Sequence, residues 1–107
     1  KNSLILRICM TDYPFIHKKA IKGAFTSFTF NKNVAELIPH ILNQKGILNV
    51  GGKKREIYKF AKKFSNNKIT SINYKKILNF PKDSSLNLNK LKNIIKRKKL
   101  KKLNVII

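Results

Sequence analysis

The chain has 107 residues, 42% of them hydrophobic: one domain's worth of length, with enough apolar material for a core and too much for compositional disorder. Its 25 Lys plus Arg against 4 Asp plus Glu give a formal charge of +21, but only Arg7, Arg55 and Arg97 are arginines. Lys, Asn and Ile are the residues that AT-rich codons encode, so base composition accounts for much of that charge without a polyanionic partner, and a dedicated nucleic-acid binder is expected to use more arginine.

The single cysteine, Cys9, lies in the apolar run LILRICM, where a small buried hydrophobe is its expected role; it forms no disulfide framework or metal set. No apolar stretch approaches the roughly eighteen residues of a membrane span and no signal peptide is visible, so the expected location is the cytoplasm. Initiator methionine is normally trimmed only before a small residue, so a chain that begins at Lys1 reads as a piece of something longer.

Ser3 to Met10, SLILRICM, reads as a strand buried on both faces of a parallel sheet, ended by Thr11 to Pro14 because proline cannot continue a ladder. Residues 15–24 carry no decisive pattern. SFTF at 27–30 alternates and reads as a short strand or extended segment. Asn33, with Glu36 three residues on, has the pattern of an N-cap and its reciprocal partner, predicting a helix over about 34–44 that Pro39 kinks and Gly46 stops.

Ile47 to Val50 is the next strand, followed by a Gly51-Gly52 turn in which glycine is expected to supply a backbone angle other residues resist. In the helix after it, Ile57, Phe60, Ala61 and Phe64 fall at i, i+3, i+4 and i+7, with Lys59, Lys62 and Lys63 facing away. Residues 69–72 can form a short strand, and Asn73 can cap a turn of helix through Leu78. Asn79 to Ser85 is a loop around Pro81. Asn87 or Asn89 caps a last helix whose stripe is Leu91, Ile94 and Ile95, running into KRKKLKKL. The alternation of strand and helix predicts an α/β fold.

Few motifs carry chemistry. NVGGKKRE lacks the lysine followed by Ser or Thr of a Walker loop and the three spaced glycines of a dinucleotide loop. Tyr58 and Lys62 have the Tyr-x-x-x-Lys spacing of a short-chain dehydrogenase pair, but Tyr58 borders the apolar face and Lys62 is one of many solvent-side lysines. His17 and His40 have no carboxylate or cysteine at metal-ligand spacing, and Asp12, Glu36, Glu56 and Asp83 are too scattered for a catalytic carboxylate pair. The basic runs Lys53-Lys54-Arg55 and 96–102 fit solvated faces as well as they fit nucleic acid.

Taken in order, the segments resemble the C-terminal part of an extended short-chain dehydrogenase, and most of all the sugar-nucleotide reductases of the dTDP-4-dehydrorhamnose reductase type. LRICMTDYP at 6–14 looks like the family's strand L-R-x-x-x-x-x-x-P, and FTFNKNVAEL at 28–37 is similar to its f-x-h-V-x-D-v-A segment. GILNVGG at 46–52 with EIYKFAKKF at 56–64 resembles the G-i-y-h-v-a-G strand and yeFA helix, and FPKDSSLNLNKLKNI at 80–94 the closing R-P-x-x-s-x-L-d-t-s-K-L stretch. Asn33 stands where the family usually has aspartate, Tyr13 where it has glycine, and Phe80 where it has an arginine that commonly meets the nucleotide phosphates.

The resemblance implies that residues 1–107 are a single partial domain: the end of a Rossmann-like sheet plus the substrate-binding C-terminal part, without the N-terminal cofactor-binding half. It places the catalytic Tyr-x-x-x-Lys and the glycine-rich cofactor loop outside this chain and demotes Tyr58 and Lys62. NADP or NAD would serve the intact parent and the piece alone would bind neither; the expected partners are a nucleotide-linked sugar and the missing half. Thr11 and Asp12, at the end of the first strand where ligands meet an open α/β sheet, are the implied polar contacts, with Lys82 near the phosphates as a point charge. The rival expectation from another class is a small lysine-rich RNA-binding or ribosome-associated module, with affinity steeply dependent on salt.

Overall fold

The structure, a computed structural model, describes residues 3–107. In chain order these form β1 (Leu4–Ile8), β2 (Met10–Thr11), β3 (Lys19–Lys22), β4 (Phe25–Thr26), β5 (Thr29–Phe30) and α1 (Asn31–Leu37). They continue with β6 (Gly46–Val50), β7 (Arg55–Glu56), α2 (Ile57–Phe64), β8 (Thr70–Asn73) and α3 (Asn89–Arg97). The α/β class is as the sequence predicts. The strands pair two by two: β1 with β6, β2 with β5 and β3 with β8 are parallel, and β4 with β7 is antiparallel.

β1 and β6 run in register from Leu4 opposite Gly46 to Ile8 opposite Val50, joined by a crossover that contains α1. On one face of the pair, Leu48 and Val50 are fully buried with Leu4 and Leu6 packed beside them, covered by Val34 and Leu37 of α1 and Leu91 and Ile94 of α3. On the other face Ile5 and Ile47 stand opposite one another at 55% and 47% exposure, followed by Arg7 opposite Asn49. The expectation that this strand is buried on both faces therefore fails: side chains alternate across a strand, and only one set has a layer to pack against. The Cα extents are 41 × 29 × 18 Å, and the shortest dimension has room for two layers of secondary structure but not three.

A second core lies under α2. Ile57 and Ala61 pack with Phe15, Ala20, Ala24 and Ile69, so the predicted stripe seats α2 against the β3–β8 pair while Lys59, Lys62 and Lys63 stay exposed. Tyr58 packs at the border of this cluster, the structural role its position implies. Phe60, the third stripe residue, is buried among aromatic rings rather than in the aliphatic cluster.

Two local expectations are corrected. α1 begins at Asn31, directly after β5, with Phe30 at the N-cap and no side-chain cap. Asn33 thus lies inside the first turn, where its Nδ2 donates to the carbonyl of Asn104 at 2.6 Å. The helix ends at Leu37 and tightens into a 3₁₀ turn over Ile38–His40, because Pro39 has no N–H for the α ladder but fits the start of a tighter turn. The second correction concerns Gly51 and Gly52, which do not adopt positive φ; that conformation belongs to Gly23 and Gly46. A Cβ on Gly51 would lie 2.6 Å from the Ser27 carbonyl oxygen, and one on Gly52 would collide with the carbonyl of Phe28. The glycines are there for close backbone approach, with Gly52 N donating to Ser27 O at 2.8 Å.

Asn73 caps as expected: its Oδ1 accepts from Lys75 N at 3.0 Å, starting the 3₁₀ turn Tyr74–Lys76. α3 has Leu88 at its N-cap and no side-chain cap, so neither Asn87 nor Asn89 caps it; Asn87 Oδ1 accepts from Asn89 N at 2.9 Å just ahead of the helix, and Leu91 and Ile94 are the buried part of the stripe, with Ile95 half-buried.

Candidate functional site

The C-terminal ends of β1 and β6 are tied together by main-chain bonds. Cys9 N donates to Val50 O at 2.9 Å and Thr29 N to Cys9 O at 3.0 Å, which moves the chain from the first parallel pair to the β2–β5 pair. Cys9 itself is half-buried, its Sγ 3.3 Å from Thr26 Oγ1. Thr11 closes β2 opposite Phe30 and is half-buried. Asp12 follows as an exposed side chain whose Oδ1 accepts from Asn31 Nδ2 at 2.5 Å, so the carboxylate is held at the start of α1.

Tyr13 comes next and is 65% exposed. Its ring meets Phe30 edge-on, with centroids 4.8 Å apart, and Phe64 at 6.4 Å. These belong to a larger aromatic cluster in which Phe30, Phe60 and Phe64 lie within 4.8–5.6 Å of one another. An open cavity of about 300 Å³ adjoins them, lined by Tyr13, Phe30, Lys32, Asn33, Asn104 and Ile107. It offers an aromatic wall, one ammonium group and two amides. A ring can stack against the wall and an anion can meet Lys32.

Behind the cluster, the Arg55 guanidinium lies 5.2 Å from the Phe60 centroid and 5.8 Å from that of Phe64, and donates to the main-chain oxygen of Ile107. Partial burial pulls its pKa below the ordinary guanidinium value, because desolvation disfavours the charged form. The two ring faces and the carbonyl hold this cation in one orientation. Lys53 N also donates to Ile107 O, at 3.0 Å, so the 105–107 segment is clamped beside the aromatic wall.

Lys82 is placed elsewhere. Its carbonyl accepts from Phe25 N at 2.7 Å at the edge of β4, its side chain is exposed, and it does not line the cavity beside Tyr13. Next to it, Asp83 pairs with Lys54 at 2.6 Å. The Lys54 hydrogen bond, reinforced by Ser85, holds the Asp83 carboxyl well below the usual carboxylate range.

Of the three residues singled out from sequence, Thr11 and Asp12 are thus neighbours at one end of the parallel pairs and Lys82 stands apart from them. Tyr13 and Arg55 were not singled out. The signal for Tyr13 was an aromatic residue where the resembled family has glycine. Arg55 gave none, because its oxygen partner is 52 residues away. Among the described residues, no group of three or more His, Cys, Asp or Glu side chains could hold a metal ion, and no helix is long and apolar enough to cross a membrane. No family model, no curated protein and no solved structure matches the chain.

Proposed function

We propose that this α/β domain is the substrate-side part of an NAD(P)-dependent sugar-nucleotide reductase of the dTDP-4-dehydrorhamnose reductase type. Another stretch of the polypeptide would bring the glycine-rich cofactor loop and the catalytic Tyr-x-x-x-Lys. The observation that carries this reading is the bare face of the β1–β6 pair. Parallel strands joined by helical crossovers are normally covered on both faces, whereas here Ile5 and Ile47, opposite one another on the same face, are half in solvent. β1 bonds β6 along one edge only. A Rossmann-like half that adds strands to the free edge of β1 and a helical layer over Ile5 and Ile47 would complete such a sheet.

In this reading Thr11 and Asp12 present a hydroxyl and a carboxylate to the sugar at the carboxyl ends of the strands, where ligands meet open α/β sheets. Lys82 supplies positive charge toward the phosphates. The nicotinamide, bound by the other half, would supply hydride to the keto carbon. This chain's task is to orient the sugar and exclude water from its far side.

The test is to translate the reading frame upstream of Lys1 and assay both forms. A glycine-rich strand–turn–helix followed by Tyr-x-x-x-Lys, with NADPH-dependent reduction of a nucleotide-linked keto sugar by the extended protein alone, is the expected result. Turnover by the 107-residue chain itself, or a stop codon directly upstream, sinks the reading.

A further inference from the structure

We infer that the surface formed by α3 and the turns after it is a binding track for single-stranded nucleic acid, engaged through its phosphates. Three cavities run into one another along this surface. The first, about 430 Å³, is lined by Lys96, Lys99, Lys101 and Lys102 alone. The second, about 280 Å³, shares Lys96 and Lys101 with it and continues past Lys92 over a floor that includes Ile95, Leu100 and Ile106. The third, about 270 Å³, shares Lys92 and Ile106 with the second and ends at Lys53 and Lys54.

Seven ammonium groups therefore border a connected trough, and no carboxylate lines any of its three parts. Base composition explains how many lysines the chain has, but not this distribution. Two lysines close to those of the track serve the fold instead: Lys90 Nζ donates to the carbonyls of Lys45 and Ile47, and Lys98 Nζ to His40 O and Asn43 Oδ1. Lys92 and Lys96 sit one helical turn apart on α3, opposite the buried Leu91 and Ile94. Lys99 adopts a left-handed φ of 55° just past the helix, where the chain turns toward Lys101. Of the trough lysines, Lys54 is paired with Asp83; it is the only ion pair among the described residues.

The row of charges selects the ligand. A line of ammonium groups follows the backbone of one strand, whereas a membrane-binding helix needs a free apolar face, and that of α3 is buried at Leu91 and Ile94. No aromatic ring lines the three cavities, so bases have nothing to stack on and binding is indifferent to sequence. The track does not include Thr11, Asp12 or Lys82, although its Lys54 end is paired with Asp83, the neighbour of Lys82, and the proposal does not rest on the reductase reading.

The test is fluorescence anisotropy of the full chain with fluorescein-labelled ten-nucleotide oligouridylate and oligoadenylate. With about five phosphate contacts, raising salt from 50 to 200 mM should weaken binding about 100-fold, and the two oligonucleotides should bind alike. The double variant Lys96→Gln/Lys101→Gln should lower the salt slope by about 1.4. Lys19→Gln/Lys22→Gln on β3, which removes the same charge from exposed positions outside the trough, should leave the slope unchanged, with circular dichroism confirming that both variants fold. Equal loss in the two variants would show diffuse attraction to net charge and overturn the proposal. So would an absence of binding at 50 mM salt, a strong base preference, or binding to phosphatidylserine vesicles but not to either oligonucleotide.

Discussion

Gly51 lies so close to Ser27 that a methyl group on its Cα would sit 2.6 Å from the Ser27 carbonyl oxygen, with the Ser27 hydroxyl oxygen 3.3 Å away. Both neighbours are fixed: the carbonyl accepts from Gly52 N and the hydroxyl from Leu86 N at 3.0 Å. Gly51→Ala should therefore destabilise the fold by about 1–3 kcal/mol, as overpacking of a close-packed interior does. Thermal unfolding followed by circular dichroism should show a clear fall in Tm, while the exposed substitution Lys45→Ala stays within about 0.5 kcal/mol of wild type.

Thr29 is fully buried and its hydroxyl donates to Val105 O at 2.5 Å, joining residues 76 positions apart. Thr29→Val keeps the shape but removes this bond, leaving the Val105 carbonyl with Ile107 N alone, which should cost about 0.5–1.5 kcal/mol in urea unfolding. Thr29→Ser retains the donor and should lose less. A larger loss in Thr29→Ser than in Thr29→Val would show that the methyl group, not the hydroxyl, does the holding.

Neighbouring positions of β6 should respond oppositely. Leu48 is fully buried beneath α1 and α3, so Leu48→Ala is expected to cost about 2–5 kcal/mol. Ile47→Ser, on the bare face, should change the stability of this chain by no more than about 0.5 kcal/mol. If the proposed sheet is completed by another part of the polypeptide, the same Ile47→Ser change in the extended protein should become strongly destabilising. Matching small effects in the short and extended proteins would mean that nothing covers the face.

Asp83 is held ionised by Lys54 and Ser85. A carboxyl with a depressed folded-state pKa stabilises the fold above its unfolded pKa of about 3.8, and that contribution is lost as pH falls below this value. The Tm difference between wild type and Asp83→Asn should thus be constant from pH 5 to 8 and shrink progressively below about pH 4. The pair is exposed, so the difference should be small and weaken further as salt rises.

Periodic segments were legible in the sequence. The i, i+3, i+4 spacing of Ile57, Phe60 and Ala61, the run Ile47–Val50 and the Leu91–Ile94 stripe all appear where local pattern puts them, because each pattern fits one face of one element. Features set by partners distant in sequence were not legible. Asn33 has the local pattern of a helix cap, but the helix has already begun at Asn31 and the amide is drawn to Asn104, 71 residues away. The segment KAIK at 19–22 becomes a strand only because Thr70–Asn73 lies beside it. The pair Gly51-Gly52 marks a tight place, but only the backbone of residues 27 and 28 shows that the constraint is distance rather than dihedral angle. Near the candidate site, the place of Thr11 and Asp12 at a strand end is legible, because Pro14 stops the ladder just beyond them. The aromatic clasp around Arg55 depends on how two cores meet and has no local signature.

The 105–107 segment is held from three directions: by the Thr29 hydroxyl, by Lys53 N and by the Arg55 guanidinium. During synthesis, Thr29 and the two glycines leave the ribosome long before Val105 is made. The crossing of β5 with the Gly51-Gly52 turn must then wait, with one buried hydroxyl and one guanidinium lacking their oxygen partners, until the last of these residues arrives. Contacts between residues this far apart in sequence slow folding, because the loop must be closed before the contact stabilises anything. The stretches around Thr29 and around residues 51–55 should therefore stay open to proteases until residues 105–107 emerge, and then close together.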